Sequence, residues 1–199
     1  LKEKLFQDAA IFYFGSGTLF HPKAFATTKE ALQLAKRHNC ITAFDPNIRL
    51  KRWKSAEECR KTVLEFLPKA DILKLSKEEL FFLTEKESLD ACLQDIKKYK
   101  IPYLWVSLGE EGAVAVSRER KMVLPGESVK AIDTTGAGDI FMAALLEQIH
   151  DGGFPDTEEK LFQYTKKALK LGALTVTKNG ALTAILEGKI TYLEEKNSF

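Results

Sequence analysis

The sequence predicts an α/β fold: a mostly parallel sheet flanked by helices, with antiparallel strands at one edge. Two patterns carry this expectation. Short apolar runs alternate with segments of helical period through the first half of the chain, and further on three brief β-type runs follow one another across turns. The 199 residues, 45% of them hydrophobic and 29% charged, suffice for one well-buried core. With no internal repeat, low-complexity tract or linker, residues 1–199 read as a single α/β unit.

Residues 9–14 form a continuous apolar and aromatic run that ends at Gly15-Ser16-Gly17, the pattern of a strand buried on both faces followed by a loop. Residues 27–38 place Ala31, Leu34 and Ala35 at helical spacing among charged side chains, with Asn39 as the stop. Residues 40–44 repeat the buried-strand pattern and run into the turn cluster Asp45-Pro46-Asn47. Strand, helix, strand predicts parallel pairing. Ser55 and Glu58 make a capping box for a helix carrying Cys59, Val63, Phe66 and Leu67. Residues 71–75 are the next strand, and Ser76 caps a helix with Glu79 at its third position. Residues 89–99 are amphipathic, and residues 103–106 form a buried strand ending at Ser107-Leu108-Gly109. The β-type runs at 113–116, 122–124 and 129–132 predict the antiparallel edge. Residues 140–149 are apolar on nearly every side, as in a buried helix, and a helix over 157–174 and a β segment near 190–193 complete the chain.

Charge and cysteine usage narrow the function classes. The 30 basic and 28 acidic residues are dispersed and leave a formal charge of +2, which gives no footprint for nucleic acid or a membrane surface. Cys40, Cys59 and Cys92 lack metal or redox spacing and read as reduced thiols; His21, His38 and His150 are scattered, so no zinc site is legible. No apolar run approaches the roughly 20 residues that cross a bilayer. The opening residues lack the features of a secretory leader, so a cytoplasmic location is expected. The chain opens on Leu1 and its methionines are only Met122 and Met142, which reads as a processed product or a fragment.

The segment that carries chemistry is Asp133-Thr134-Thr135-Gly136-Ala137-Gly138-Asp139. Two glycines separated by one alanine, where a β run passes into an apolar helix, let the backbone approach an anion and aim free amides at it. A lone Gly-Ala-Gly is also a common tight turn. The flanking carboxylates point further, because an acid inside a phosphate cradle repels its ligand unless it has its own task, such as taking a proton from an attacking hydroxyl. Asp139, near the positive end of the helix dipole, is the candidate base; the alternative is a plain N-terminal acid that stabilises its helix by under about 1 kcal/mol.

This segment, extended through Ile140-Phe141, resembles the second signature of the PfkB (ribokinase-like) carbohydrate kinases. The resemblance implies a three-layer α/β/α sandwich and an ATP-dependent sugar kinase. Asp139 would be the catalytic base, and the amides of Gly136, Ala137 and Gly138 the hole for charge on the transferred phosphoryl group. Other segments are similar to the family in the same order. Asp71-Ile72-Leu73-Lys74-Leu75-Ser76-Lys77-Glu78-Glu79 resembles its Asn-x-x-Glu element, with Ser76 in place of asparagine; Glu79 would organise hydrated Mg2+, although Ser76 and Glu79 also satisfy a plain capping box. Ser107-Leu108-Gly109-Glu110-Glu111-Gly112 resembles the loop beside the nucleotide, which implies contacts from Ser107, Gly109 and Gly112, and is also readable as a hairpin turn. Residues 171–181 resemble the segment that walls the adenine, with Gly172 and Ala173 as contacts; an alanine-rich helix packed on the core is the other reading. Asp133, Thr135, Thr175, Lys178 and Gly180 would ligate an activating K+.

Asp45-Pro46-Asn47-Ile48-Arg49 is similar to an element of fructokinases and ketodeoxygluconate kinases at the active-site rim, making Asp45, Asn47 and Arg49 substrate or phosphate contacts; a Pro-Asn turn with a solvated arginine is the alternative. The resemblance implies a fructokinase-like activity on a small sugar with ATP and Mg2+. A kinase for ketodeoxygluconate, ribose or a nucleoside, and a non-catalytic nucleotide-binding module, are the other readings. It covers the C-terminal two-thirds of a family member, without the N-terminal part and the β lid, so weak ATP binding and poor turnover are expected of this polypeptide alone. The lid often makes dimer contacts in this family, so a homodimer belongs to the expectations for a full-length protein.

Overall fold

A computed structural model describes residues 1–118 and 120–186 of the chain. The β segment expected near 190–193 lies outside the described residues. Six strands, β1 (Ile11–Phe14), β2 (Ile41–Phe44), β3 (Ile72–Ser76), β4 (Tyr103–Ser107), β5 (Ala113–Ser117) and β6 (Arg120–Leu124), stand in sequence order in one sheet. The first four pair in parallel. β5 and β6 are antiparallel edge strands, as the short link between them requires. Among the described residues no helix is long and apolar enough to cross a membrane. The chain divides into two compact units: Leu1–Ser107 with Ala115–Lys121, and Leu108–Val114 with the residues from Met122 onward.

In the first unit the parallel strands alternate with α2 (Pro22–Arg37), α3 (Ala56–Phe66), and the pair α4 (Lys77–Thr84) and α5 (Leu89–Ile96), after a short opening turn, α1 (Lys4–Gln7). Side-chain caps start three of these helices: Ser55 accepts from the Glu58 amide, Ser76 from Glu79 and Ser88 from Ala91. α2 starts at Pro22, ahead of the apolar spacing that begins near residue 27, because proline is pre-set for the first helical position. β3 and β4 are buried over almost their whole length, which is why they read as unbroken apolar runs. Phe44, Phe66, Ile72, Leu73, Leu75 and Trp105 are fully buried, and the Phe14 and Phe44 rings stack at 4.4 Å. Truncating one of these aromatic side chains to alanine costs about 3–5 kcal/mol.

In the second unit α6 (Ala137–Gly152) and α7 (Glu158–Val176) pack on each other, followed by α8 (Thr183–Leu186). α6 buries Phe141, Met142, Ala144, Leu145 and Ile149; α7 buries Leu161, Tyr164, Ala168 and Leu171. Gln148 Nε2 donates to the Tyr164 carbonyl at 3.1 Å, and Lys167 pairs with Glu147 at 3.0 Å, which fixes the register of the two helices. Residues 129–132 do not form the third antiparallel strand that their β-branched character suggests. Val129 and Ile132 are exposed, and the Ile132 amide donates to the Val176 carbonyl at 2.7 Å, so the segment is tied to the end of α7 rather than to a strand ladder.

Candidate functional site

Within the first unit, the C-terminal ends of β1 and β2 are clasped together. The Asp45 amide donates to the Phe14 carbonyl at 3.1 Å and the Ser16 amide to the Pro46 carbonyl at 2.9 Å. This approach requires Gly15, whose place a Cβ would put 2.9 Å from the Asp45 carbonyl oxygen. Asn47 then takes φ 44, a left-handed conformation that asparagine tolerates better than most residues. Against these loops lies a cleft of about 310 Å³, lined among others by Tyr13, Phe20, Asn47, Arg49, Arg52 and Trp53. All three residues expected to meet substrate or phosphate, Asp45, Asn47 and Arg49, line this cleft.

Asp45 is wholly buried, and Lys74 of β3 donates to its Oδ2 at 3.0 Å, with side-chain exposures of 8% for the lysine and 1% for the aspartate. A charged residue inside an apolar strand needs such a partner. Lys74 therefore anchors the 45–49 loop from below, leaving Arg49 exposed on the cleft side. Glu79 is a second anchor. Its Oε2 accepts from the Ser76 amide at 2.8 Å, closing the capping box, and its Oε1 accepts from the Ile48 amide at 2.7 Å. The capping reading of Ser76 and Glu79 is thus realised in full. Each carboxylate oxygen retains a further lone pair, so the group can still accept from a water of hydrated Mg2+. Ser107 ends β4 with its hydroxyl directed to the Leu75 carbonyl at 3.4 Å.

Within the second unit, Gly136 takes φ 84 and begins α6 with no side-chain cap. The Ala137 amide bonds to the Thr134 carbonyl and the Ile140 amide to the Gly136 carbonyl, while no side chain makes a capping hydrogen bond at the start of the helix. Asp139 lies in this first turn and is exposed, where the helix dipole favours a carboxylate. Ala181 closes over Gly136: a Cβ there would fall 2.8 Å from the Ala181 Cα. Asp133 holds the two segments together, accepting from the Thr135 amide at 2.9 Å and the Gly180 amide at 2.8 Å. The Thr135 side chain first, then the Thr135 and Gly180 amides, keep the Asp133 carboxyl below its usual range.

The residues expected to ligate K+ are thereby collected at one place. The Asp133 amide reaches the Val176 carbonyl at 3.2 Å, and the Lys178 amide the Thr175 carbonyl at 3.3 Å. Thr175 itself is buried, with its hydroxyl donating to Leu171 at 2.9 Å, so only main-chain oxygens and the ionised Asp133 are of the kind a hard cation takes. Among the described residues no group of three or more His, Cys, Asp or Glu is arranged to hold a metal ion. Gly172 is buried on the face of α7 turned to α6, where a Cβ would sit 3.5 Å from the Ala137 carbonyl, so it packs α7 against the start of α6; Ala173 beside it is half-exposed. The 108–112 loop is a tight turn, with Gly109 at φ 65, Gly112 at φ 106 and the Leu108 amide bonded to the Gly112 carbonyl at 2.8 Å.

Lys74, Tyr13, Phe20, Arg52 and Trp53 were not singled out by motif. Lys74 carried a signal, since it interrupts an otherwise apolar strand; Arg52 and Trp53 carried only their nearness in sequence to Arg49.

A fold of parallel strands with antiparallel edge strands and an uncapped Gly-Ala-Gly-Asp helix start define the class: the chain belongs to the pfkB family of carbohydrate kinases, whose model matches residues 1–187. It is 35% identical to fructokinase-1 of Zea mays over 98% of this chain and 62% of that protein. Among solved structures it resembles fructokinase from Vibrio cholerae O395 bound to fructose, ADP and a calcium ion, with 33% identity and a TM-score of 0.86 over 93% of this chain and 61% of the other. Aminoimidazole riboside kinase from Salmonella enterica, complexed with aminoimidazole riboside and an ATP analogue, aligns with 28% identity and a TM-score of 0.80 over 87% of this chain and 58% of that one. The chain therefore spans about three-fifths of the length of these relatives and matches their C-terminal part.

Proposed function

We propose that the protein transfers the γ-phosphoryl group of ATP to a hydroxyl of a small sugar, with fructose as the preferred acceptor. The observation that carries this reading is the start of α6, where an exposed carboxylate, Asp139, shares one turn with a glycine-opened helix end that no side chain caps. Family membership and the fructose-bound relative support it. Asp139 accepts the proton of the acceptor hydroxyl as its oxygen bonds to the γ-phosphorus and the bond to the bridging oxygen of ADP breaks. The amides of Gly136 and Gly138, joined by that of Ala137 once it leaves its long 3.3 Å bond to the Thr134 carbonyl, receive the charge on the phosphoryl oxygens. Glu79 would hold hydrated Mg2+ through water, and the ion would supply charge neutralisation at the nucleotide phosphates. In the second unit Gly109, Gly112 and Ala173 are the residues to border the nucleotide, with Gly172 holding α7 against the start of α6, and the Asp133–Gly180 neighbourhood is the place for an activating K+.

The test is transfer of labelled phosphoryl from ATP by the full-length protein to fructose, ribose, ketodeoxygluconate and a nucleoside, assayed side by side. Fructose is expected to take label with the highest kcat/KM. Label confined to inorganic phosphate with every acceptor would rule out a sugar kinase, and a preference for another acceptor would reassign the substrate.

A further inference from the structure

In the first unit β3 runs on past the end of β2. The last ladder pair between the two strands is Phe44 with Leu73, so the next residues in register are Asp45 and Lys74, at the point where the chain leaves β2 for the 45–49 loop. Lys74 stays in the sheet, in register with the fully buried Trp105 of β4. Where the main-chain ladder stops, the bond of 3.0 Å from Lys74 Nζ to Asp45 Oδ2 carries the connection on through side chains. Three residues further along, the Ile48 amide donates to Glu79 Oε1 at 2.7 Å, and between these ties the Pro46 carbonyl accepts from the Ser16 amide while Asn47 takes φ 44. The loop is thus fixed at both ends from β3 and the first turn of α4. Arg49 emerges from it exposed, with Nη1 donating to the Ile48 carbonyl at 3.2 Å.

As a source of stability such a pair is a poor choice, because desolvating two buried charges offsets most of their attraction, and an apolar pair of similar volume serves a sheet as well. What the ion pair adds is place: a charge fixed on a rigid strand ties the carboxylate, and with it the first residue of the loop, to one position. We infer, on the kinase reading proposed above, that Lys74 is a positioning residue for phosphoryl transfer, holding the 45–49 loop through Asp45 so that the Arg49 guanidinium meets the acceptor at one place on the cleft. Lys74 is buried behind Asp45, so it acts through the loop and not by contact with a substrate. A loop ordered in advance spares the acceptor the cost of ordering it at binding. The residues assigned to the nucleotide, Gly109, Gly112 and Ala173, belong to the second unit, so loss of this anchor falls on the acceptor and not on ATP.

The test measures kcat and KM for fructose and for ATP in the full-length protein, as wild type, Lys74→Met, Arg49→Gln and the double variant, at a temperature where circular dichroism shows each one folded. Lys74→Met is expected to lower kcat/KM for fructose about tenfold or more, chiefly through a raised KM. KM for ATP should stay within about twofold of wild type. In the Arg49→Gln background the same change should alter kcat/KM for fructose by less than about twofold, because the group that Lys74 positions is gone. A merely structural role lowers kcat in proportion to the unfolded fraction and leaves both KM values in place. Should Lys74→Met alone fail to fold, the neutral pair Lys74→Met with Asp45→Asn enters the same cycle with the same expected pattern. An unchanged KM for fructose in a folded variant, equal factors in both Arg49 backgrounds, or an equal rise in KM for ATP overturns the inference. Ile48 amide exchange, followed by NMR without substrate, should be faster in Lys74→Met than in wild type. A wild type that transfers to no acceptor strikes the kinase reading, whereas unchanged Ile48 exchange in Lys74→Met strikes the positioning role whatever the wild type does.

Discussion

Replacing Lys74 by methionine removes the ammonium that balances Asp45 and leaves a carboxylate inside the sheet. At 3.0 Å and an effective dielectric of about 20, the attraction between the two charges is about 5 kcal/mol, largely offset by the desolvation of both. Losing one partner forfeits the attraction and retains the desolvation of the other. The expected loss of stability is therefore about 3–5 kcal/mol, a sizeable share of the roughly 5–15 kcal/mol of a typical domain. Chemical denaturation followed by circular dichroism measures it. The double variant Lys74→Met with Asp45→Asn should recover part of that loss, giving a coupling of more than about 1 kcal/mol in the cycle. A Lys74→Met variant as stable as the wild type, or strictly additive single changes, would refute the argument that this pair anchors the 45–49 loop.

Gly136→Ala should destabilise by about 2 kcal/mol or more, because φ 84 disfavours a side chain and Ala181 occupies its space; thermal melting checks it. Ser76→Ala should cost about 1 kcal/mol in the same assay through loss of the α4 cap. Because the Asp133 carboxyl is depressed, its hold on Gly180 is present above the ordinary carboxyl value and is lost as pH falls through the depressed one; Gly180 amide exchange should accelerate there, and Asp133→Asn should abolish the pH step. Burial pushes the Cys59 thiol up to about 11, and all three cysteines are buried, so a thiol reagent near neutral pH should react with the native protein slowly and with the denatured protein fully.

Local signals on one continuous segment were legible in the sequence. Ser55, Ser76 and Thr157 stand where helices begin and cap them, and the apolar runs ending at Phe14, Phe44 and Ser107 are strands. The segment at 129–132 misled because β-branched residues fit an extended backbone whether or not a neighbouring strand exists to pair with it. Gly172 shows a second limit: its place against Ala137 depends on how two helices cross, which no period within either helix records. The cleft was half visible. Asp45, Asn47 and Arg49 came from a motif, whereas Lys74 meets Asp45 through sheet order, and Arg52 and Trp53 reach the cleft through a turn of 3₁₀ helix at Leu50–Arg52. Glu79 illustrates how one side chain satisfies two readings, since its cap to Ser76 was legible and its bond to Ile48 was set by the tertiary fold.

The pairing of Asp139 with the open start of α6 is tested most directly by comparing Asp139→Asn with the wild-type full-length protein, measuring phosphoryl transfer to fructose and ATP affinity on the same samples. Turnover is expected to fall by about 10²–10⁴ with ATP affinity little changed. Turnover close to wild type would contradict the assignment of Asp139 as the base.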